Sequence, residues 1–448
     1  ANELVFGTHS IPEYQFDKVE VLVSFGADFL ESWLNPVQFA AGFAAMHTFQ
    51  NGAKGRFIHI SPHLSLTGSN ADEWIPCQPS QELMLGAVLL NHLIAKQKEI
   101  SSEKAGLIKQ SIKSIVSTAK SILTDGLLLR IETLAKEMLI QKSMCLAGGF
   151  SSGNTPSSLQ IVVNWINCCV GAINESIHFG ANYQFGGDPL DKIRQHLKDI
   201  QNGKYDLVIT NNSNPVYVLP FIDLKNLLGK SVPHVSLSTE QSETTETANL
   251  VLPTNHYLES WGDVFVRNGQ HALQQPVMLS VPGFQAKETG DILLQTAQLF
   301  NPSAFSFLNF HEYLQVQWKK LQADQTDNRS FDVFWKRSLQ QGGAYQDFKK
   351  VKVNLQPPPE NLNIKIATPD SRNLTLLAFS TGFQEPDGKT GNRHWLLETP
   401  NALSQVTWDV WAELHPNTAK GKGIEDGDKV RISTNIGSIE ATARVHYG

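Results

Sequence analysis

Cysteine is scarce in this chain: Cys77, Cys145, Cys168 and Cys169 are four in 448 residues, and no CxxC pair occurs. That excludes a four-cysteine iron–sulfur cluster, a zinc ribbon of the usual spacing and a disulfide scaffold built from this segment. A basic excess is missing as well. Thirty-seven Lys and Arg face 43 Asp and Glu, a formal charge of −6, the wrong balance for a nucleic-acid binder. No apolar run reaches the roughly 18 residues a membrane-spanning helix needs. The opening Ala-Asn-Glu-Leu-Val-Phe lacks a basic stretch leading into an apolar one, and no Met begins the chain. With an end at Gly448 just after a strand-like stretch, the chain reads as a piece of a longer polypeptide.

What is present is an ordinary globular composition, 41% hydrophobic and 18% charged, long enough for several domains. Val19–Phe25 is a short apolar run of the type buried on both faces of a parallel sheet. A turn at Gly26-Ala27-Asp28, helical spacing over Pro36–Phe49 and a strand at Arg56–Ile60 complete a βαβ unit. A second block repeats the plan. Tyr205–Thr210 is followed by the turn Asn211–Pro215, a helical stretch near Phe221–Leu228 and a strand at Pro233–Leu237. Ala71-Asp72-Glu73-Trp74-Ile75-Pro76 and Ala248-Asn249-Leu250-Val251-Leu252-Pro253 close the two blocks with similar phrases. The pattern predicts an α/β fold of two doubly wound parallel-sheet units related by a weak internal repeat, with Val19–Phe25 and Tyr205–Thr210 as central strands. Between them, Leu107, Ile108, Ile112, Ile115, Val116, Ala119 and Ile122 recur at helical spacing with lysines opposite. That reads as a helical hairpin packed on the sheet, or alternatively as a partner-docking helix. Gln356-Pro357-Pro358-Pro359 is a stiff linker. Short β-type runs after it, broken at Asp426-Gly427-Asp428 and Asn435-Ile436-Gly437, predict a small β-barrel domain. The expected boundaries are unit I at 1–95, a helical insertion at 96–142, unit II at 143–355, a linker at 356–373 and an incomplete barrel at 374–448.

Several phrases together resemble the molybdopterin oxidoreductase (dimethyl sulfoxide reductase) superfamily. They are Phe25-Gly26-Ala27-Asp28, Ile60-Ser61-Pro62, Ser213-Asn214-Pro215, Tyr257–Asp263, Thr289-Gly290-Asp291-Ile292-Leu293, His394–Glu398 and Glu413–Ala419. Tyr14–Lys18 leading into Val21–Glu31, and Trp395–Pro400 leading to Thr407-Trp408-Asp409, are most similar to one branch, the iron–sulfur B subunit of alternative complex III. Polysulfide- and thiosulfate-reductase-type catalytic subunits are its neighbours.

The resemblance implies two phosphorylated pterin nucleotides at the strand ends of active members. Small residues, backbone N–H groups and neutral or positive side chains suit such a ligand. This sequence departs from that. Asp28 stands where active members usually have Asn, and Ser61-Pro62-His63 replaces an Asp-Pro-Arg phrase. Ser80-Gln81-Glu82 replaces Gly-Thr-Asp. The cleft-facing positions Gly26, Asp28, Ser61, His63, Ser80, Gln81 and Asn214 are therefore read as vestigial, with no catalytic residue, no metal ligand and no cofactor in this segment. Asp28 and Glu82 are expected to be solvated or paired with basic groups. The cysteines read as small buried hydrophobes, and His59 with His63, straddling a strand and a Pro-bearing loop, as a poor zinc pair. Glu259 and Asp263 could be an acid/base pair, with a structural loop role for Glu259 as the default. Gly148–Gly153 is Gly-rich without a P-loop Lys and reads as a turn.

The function the resemblance implies is a non-catalytic scaffold in a membrane-associated quinol-oxidising respiratory complex. Iron–sulfur clusters are expected elsewhere in the full polypeptide. The expected partners are a quinol-binding membrane subunit and c-type cytochrome subunits, on the periplasmic side of the bacterial inner membrane. The alternative is a fragment of a molybdenum-dependent polysulfide- or thiosulfate-reductase-type catalytic subunit. There, molybdopterin would be bound.

Overall fold

The computed structural model describes the chain except for residues 50–51, 80, 98, 149–155, 185–186, 326, 360–361, 363, 365–373, 380–387, 389 and 448. Ser80 and most of the Gly-rich run 148–153 thus lie outside the described residues. The chain divides into two units, one of residues 1–181, 350–382 and 397–448, the other of 182–349 and 383–396.

In the first unit, β1 (Val21–Phe25), β2 (Arg56–Ser61), β3 (Glu73–Pro76) and β4 (Ser143–Ala147) form a parallel sheet ordered β3-β2-β1-β4. Every residue of β1 and β4 is buried, which is what a non-alternating apolar run achieves only inside a sheet covered on both faces. β1 is central, as its sequence predicts. Helix α1 (Pro36–His47) follows it, with Pro at its first turn and Asn35 as N-cap. Helix α2 (Gln81–Ile94) is buried almost all round and packs against α3 (Ser102–Ile122), α4 (Asp125–Met138) and α5 (Pro156–Cys169). The expected hairpin is α3–α4. Its apolar stripe, with Ile108, Ile112, Ile115 and Ala119 buried, goes to α2. The sequence boundary at 143 fails for a simple reason. β4 is an all-buried strand whose parallel neighbour is β1, so it and α5 complete the first unit instead of opening the second.

The second unit holds a smaller parallel sheet, β5 (Val208–Asn211), β6 (His234–Ser238) and β7 (Leu250–Pro253), ordered β5-β6-β7. Here the expectation for Tyr205–Thr210 is corrected. The strand starts only at Val208, lies at the sheet edge among the described residues, and alternates half-buried with exposed positions. One face of β5 packs on a cluster with Leu224, Leu227 and Leu228, while Ile209 stays 52% exposed. Beyond the sheet, β8 (Gly262–Arg267), β9 (Gln270–Gln274) and β10 (Gly343–Tyr345) pair antiparallel. They share a core of Leu273, Leu314, Trp318, Phe334 and Trp335 with flanking helices. Helix α6 (Thr289–Phe300) precedes these helices in the chain.

The C-terminal strands β11 (Trp411–Leu414), β12 (Lys429–Ser433) and β13 (Ser438–Val445) make a three-stranded sheet ordered β11-β13-β12 and belong to the first unit. The predicted barrel is not closed: β11 and β12 remain edges among the described residues, and a barrel requires them to pair.

Candidate functional site

The two parallel sheets repeat one another down to individual hydrogen bonds at their strand ends. Past β1, Gly26 N–H donates to Ile60 O at 3.0 Å; past β5, Asn212 N–H donates to Leu237 O at 2.8 Å. Both residues have positive φ, 63° and 42°. Two residues on, Asp28 Oδ1 accepts from Thr67 N–H at 3.4 Å, and Asn214 Oδ1 accepts from Thr244 N–H at 3.2 Å. Each threonine hydroxyl in turn accepts a backbone N–H, from Leu30 at 3.0 Å and from Val216 at 3.1 Å. At the ends of β2 and β6, Ser61 and Ser238 are in register with Pro76 and Pro253. Ser61 Oγ donates to His63 O and accepts its N–H (2.8 and 3.1 Å); Ser238 Oγ does the same with Glu240 (2.7 and 3.3 Å). This is the serine turn that short hydroxyl side chains favour.

With the frame conserved, the charges differ. In the first unit, the His63 ring stacks on Phe379 with centroids 4.1 Å apart, and its Nδ1 lies 3.4 Å from Glu413 Oε2. Glu413 also accepts from Trp411 Nε1 at 3.1 Å and from Arg444. These bonds hold its carboxyl below the usual range against the opposing effect of burial. His59, one strand-turn earlier, is 1% exposed, and its Nδ1 has no partner among the described residues. Burial pushes its pKa down to about 4, with Asp28 pulling up and His63 pushing down. It is a neutral core imidazole at physiological pH. The first unit is closed further where Gly148 N–H donates to Phe25 O at 2.9 Å. A Cβ at Gly148 would lie 1.9 Å from Gly26 O, so only glycine allows this approach of the β1 and β4 exits.

In the second unit the same end is open. A cavity of about 440 Å³ lies at the exits of β5 and β6 and reaches across to the start of α6. Amides and hydroxyls of Asn212, Ser213, Asn214, Thr239 and Ser242 line one side, and Tyr257, Trp261 and Phe310 supply aromatic faces. Among the described residues its charged lining is Glu240, Asp263, Glu288 and Arg393. Arg393 is committed to Glu240 at 3.4 Å. Asp263 accepts from Trp318 Nε1 at 2.9 Å. Glu288 accepts the Trp261 N–H; burial, with a lesser push from Asp291, raises its pKa to about 7 against that bond. Asn214 is 3% exposed and gives its amide N–H to Glu243 at 2.7 Å.

The candidate positions thus fall into two groups. Gly26, Asp28, Ser61 and His63 converge at the first strand end; Asn214 sits at its counterpart in the other unit. Gln81 does not join them: its Oε1 accepts the Gln78 N–H at 2.9 Å, closing its own turn before α2. Glu82 is not solvated, being completely buried in α2. Asp28 is held by the Thr67 N–H and, at 3.5 Å, the Ser32 hydroxyl, and not by a base. Glu259 takes the loop role: it accepts from His256 N and Val281 N at 2.9 and 2.8 Å. All four cysteines are unbridged. Among the described residues no group of three or more His, Cys, Asp or Glu is placed to hold a metal, and no helix is long and apolar enough to cross a membrane. Glu240, Glu288 and Arg393 were not singled out from sequence. The repeat held the clue for one of them: carrying the alignment of Ala71–Pro76 with Ala248–Pro253 back along the chain sets His63 against Glu240.

Neither strand end fits a phosphorylated pterin dinucleotide. The first places a carboxylate, Asp28, at the loop, and its imidazole is already covered by Phe379 and Glu413. The second, among the described residues, sets three acidic side chains against one guanidinium that is already paired. Like charge beside a pyrophosphate costs energy where donors should supply it.

Comparison with known proteins bears on this directly. Residues 392–448 match the molydopterin dinucleotide binding domain, which stands partly at odds with the expectation of no pterin in this segment. The chain is 23% identical to "Menaquinone reductase, molybdopterin-binding-like subunit" of Nitratidesulfovibrio vulgaris, covering 97% of this chain and 64% of that protein. It is 20% identical to "Probable oxidoreductase YyaE" of Bacillus subtilis, covering 89% and 66%. The chain therefore spans a little under two thirds of the length of these relatives. Acetylene hydratase from Pelobacter acetylenicus shares the fold, with a TM-score of 0.54 and 14% identity over 99% of this chain and 71% of that one. Two parallel α/β sheets, a small C-terminal sheet and these similarities support a relationship to the molybdopterin oxidoreductase superfamily.

Proposed function

We propose that this chain is a scaffold of the molybdopterin oxidoreductase type, without chemistry of its own, in a quinone-linked respiratory complex of the bacterial membrane. The observation that carries the proposal is the charge at the two strand ends: Asp28, with Phe379 and Glu413 over His63, in one unit, and Glu240, Asp263 and Glu288 against Arg393 in the other. A relative named as a menaquinone reductase subunit supports the quinone link. Within that class we assign the chain to the B subunit of alternative complex III. Iron–sulfur clusters in the rest of the polypeptide would carry electrons from a quinol-binding membrane subunit to c-type cytochromes on the periplasmic face. The match of residues 392–448 favours one other reading, a molybdenum-dependent reductase of polysulfide or thiosulfate type. Elemental analysis of the purified complex separates them. The scaffold predicts molybdenum and tungsten far below one atom per chain; near-stoichiometric metal with a pterin released by acid overturns it.

A further inference from the structure

The charge of the helical hairpin α3–α4, in the first unit, runs against that of the rest of the chain. Residues 96–142 hold nine Lys and Arg against five Asp and Glu, a formal +4 in a chain of −6, so the other residues carry −10. Helix α3 buries Ile108, Ile112, Ile115 and Ala119, and its exposed side carries Lys109, Lys113 and Lys120. At 3.6 residues per turn these three lysines fall within roughly 40° of one another, over about 16 Å of helix. Among the described residues none of them has an ion-pair partner, and the acids nearest the hairpin are taken. Glu73 holds Arg56 and Arg130, Glu137 holds Arg56, and Glu132 holds Lys136. Lys120 also acts on His92 of α2, together with Lys96 just past α2 and Lys136 of α4. Burial lowers the pKa of that imidazole, and the three ammonium groups lower it further against the pull of Glu132. Positive charge thus converges from α3, α4 and the end of α2.

We propose that this face of the hairpin rests on the headgroups of an anionic lipid bilayer. The complement of the lysines is a layer of phosphate charge, and the residue types favour lipid over a protein partner. The exposed positions beside the lysines include Ser114, Ser117 and Ser121, whereas protein interfaces are depleted in Lys and Ser and anchored by Trp, Tyr and Arg. A headgroup layer requires only point charges on flexible stems, which Lys supplies. Two residues from Lys120, Ile122 is 47% exposed, and in α4 Leu129 is 62% exposed. Such apolar side chains next to lysines suit the boundary between headgroups and acyl chains. The buried stripe of α3 stays in the core of the unit, so the helix lies on the lipid surface and does not enter it. Glu103 and Asp125, in the first turns of α3 and α4, act against the attraction from the two ends of α3. The inference rests on the membrane placement proposed above and deepens it; lipid binding and metal content are measured separately, so either can fail alone.

Flotation of the full chain with vesicles tests it, using phosphatidylcholine alone and phosphatidylcholine mixed with about 40% phosphatidylglycerol. At about 0.05 M salt the chain is expected on the anionic vesicles and not on the neutral ones, and about 0.5 M salt should release it through screening. Lys109→Gln, Lys113→Gln and Lys120→Gln together should lower partition onto anionic vesicles about a hundredfold, about fivefold for each charge. Because all three are exposed, the melting temperature should not move. The same change at Lys198, Lys319 and Lys320, exposed lysines of the second unit, should leave partition within about twofold. That control separates a local surface from net charge. Equal binding to neutral and anionic vesicles, no binding to anionic vesicles, or an equal loss in both triple variants overturns the proposal. Binding of soluble polyglutamate that excess anionic vesicles fail to displace also overturns it, by making an acidic polypeptide the partner.

Discussion

The same frame carries opposite chemistry in the two units. Where the first has Gly26, Asp28, His59 and His63, the second has Asn212, Asn214, Ser236 and Glu240 at matching places in the register and the turns. The first unit uses its differences to close itself. Asp28 takes a backbone N–H, His59 is buried neutral, and His63 is stacked and bonded within the unit. The second keeps the amide, pairs Glu240 with Arg393, and leaves a cavity. A fourth strand adds to the contrast. β4 covers the open side of β1, whereas β5 has no such neighbour among the described residues. The hydrogen-bonded frame and the ligand chemistry are thus separable properties of one motif. The frame is held by backbone and hydroxyl groups that survive changes at the residues between them.

The largest effect expected from testing this contrast is at Gly148. A Cβ there meets Gly26 O at 1.9 Å, backbone against backbone, with no flexible side chain to yield. Gly148→Ala should cost about 3–5 kcal/mol in denaturant unfolding and loosen the first unit while the second keeps its exchange protection. A loss under 1 kcal/mol, or equal loosening of both units, would show that closure at β4 is not what separates them. Next come the paired threonines. Both are completely buried. Thr67 Oγ accepts one backbone N–H, whereas Thr244 Oγ accepts from Val216 and also donates to Asn214 Oδ1 at 2.8 Å. Thr→Val at either site should destabilise by about 1–3 kcal/mol, with Thr244→Val the costlier of the two. The reverse order would break the equivalence.

The pH dependence should differ in sign between the units. His59 has a folded pKa of about 4 against an ordinary 6.5. The unfolded chain therefore binds more protons in that window, and the first unit loses about 2–3 kcal/mol as pH falls from 6.5 to 4. Glu288 is shifted the other way, from 4.5 to about 7. Its contribution is full below pH 4.5 and is lost as pH rises to 7; half-exposed, it is worth about 1 kcal/mol after screening. Hydrogen exchange read separately in each unit across pH 4–8 checks this. Slopes of one sign in both units refute it.

What could be read from sequence was local or repeated. The all-apolar Val21–Phe25 is central because no other place accepts it, and the two proline-ended phrases are the third strands of each sheet, in register with Ser61 and Ser238. Asn214 and Asp28 were each legible as cleft-facing positions, but that they are counterparts emerges only from their matching bonds to Thr244 and Thr67. The rest depended on partners distant in the chain. Ser143–Ala147 is apolar enough for either sheet, and only its pairing with β1 assigns it. Tyr205–Thr210 looked like a central strand, yet whether a strand has a neighbour on each side is not encoded in its own residues. The cavity was not legible because Glu240, Glu288 and Arg393 come from three separate segments. Even Glu82, an acid in an apolar helix, gave no sign that it would be completely buried.

The smallest expected effect is also the sharpest comparison. Asp28→Asn gives the first unit the residue that the second has at Asn214. The carbonyl oxygen can keep the Thr67 N–H, so the fold should change by no more than about 0.5 kcal/mol at pH 7. The new amide N–H gains no acid: the place of Glu243, which takes the Asn214 amide at 2.7 Å, is filled in the first unit by Leu66. What should move is the neighbour. Asp28 is the group that holds the His59 pKa up against burial. Removing its charge drops that pKa further, so the low-pH end of the first unit's stability loss shifts to lower pH while Glu288 in the second unit stays at about 7. Imidazole NMR titration of His59, run beside the stability curve, reads this directly. An unchanged His59, or one that shifts upward, would mean that the carboxylate does not act on it and that this substitution, alone among the differences, has no electrostatic consequence.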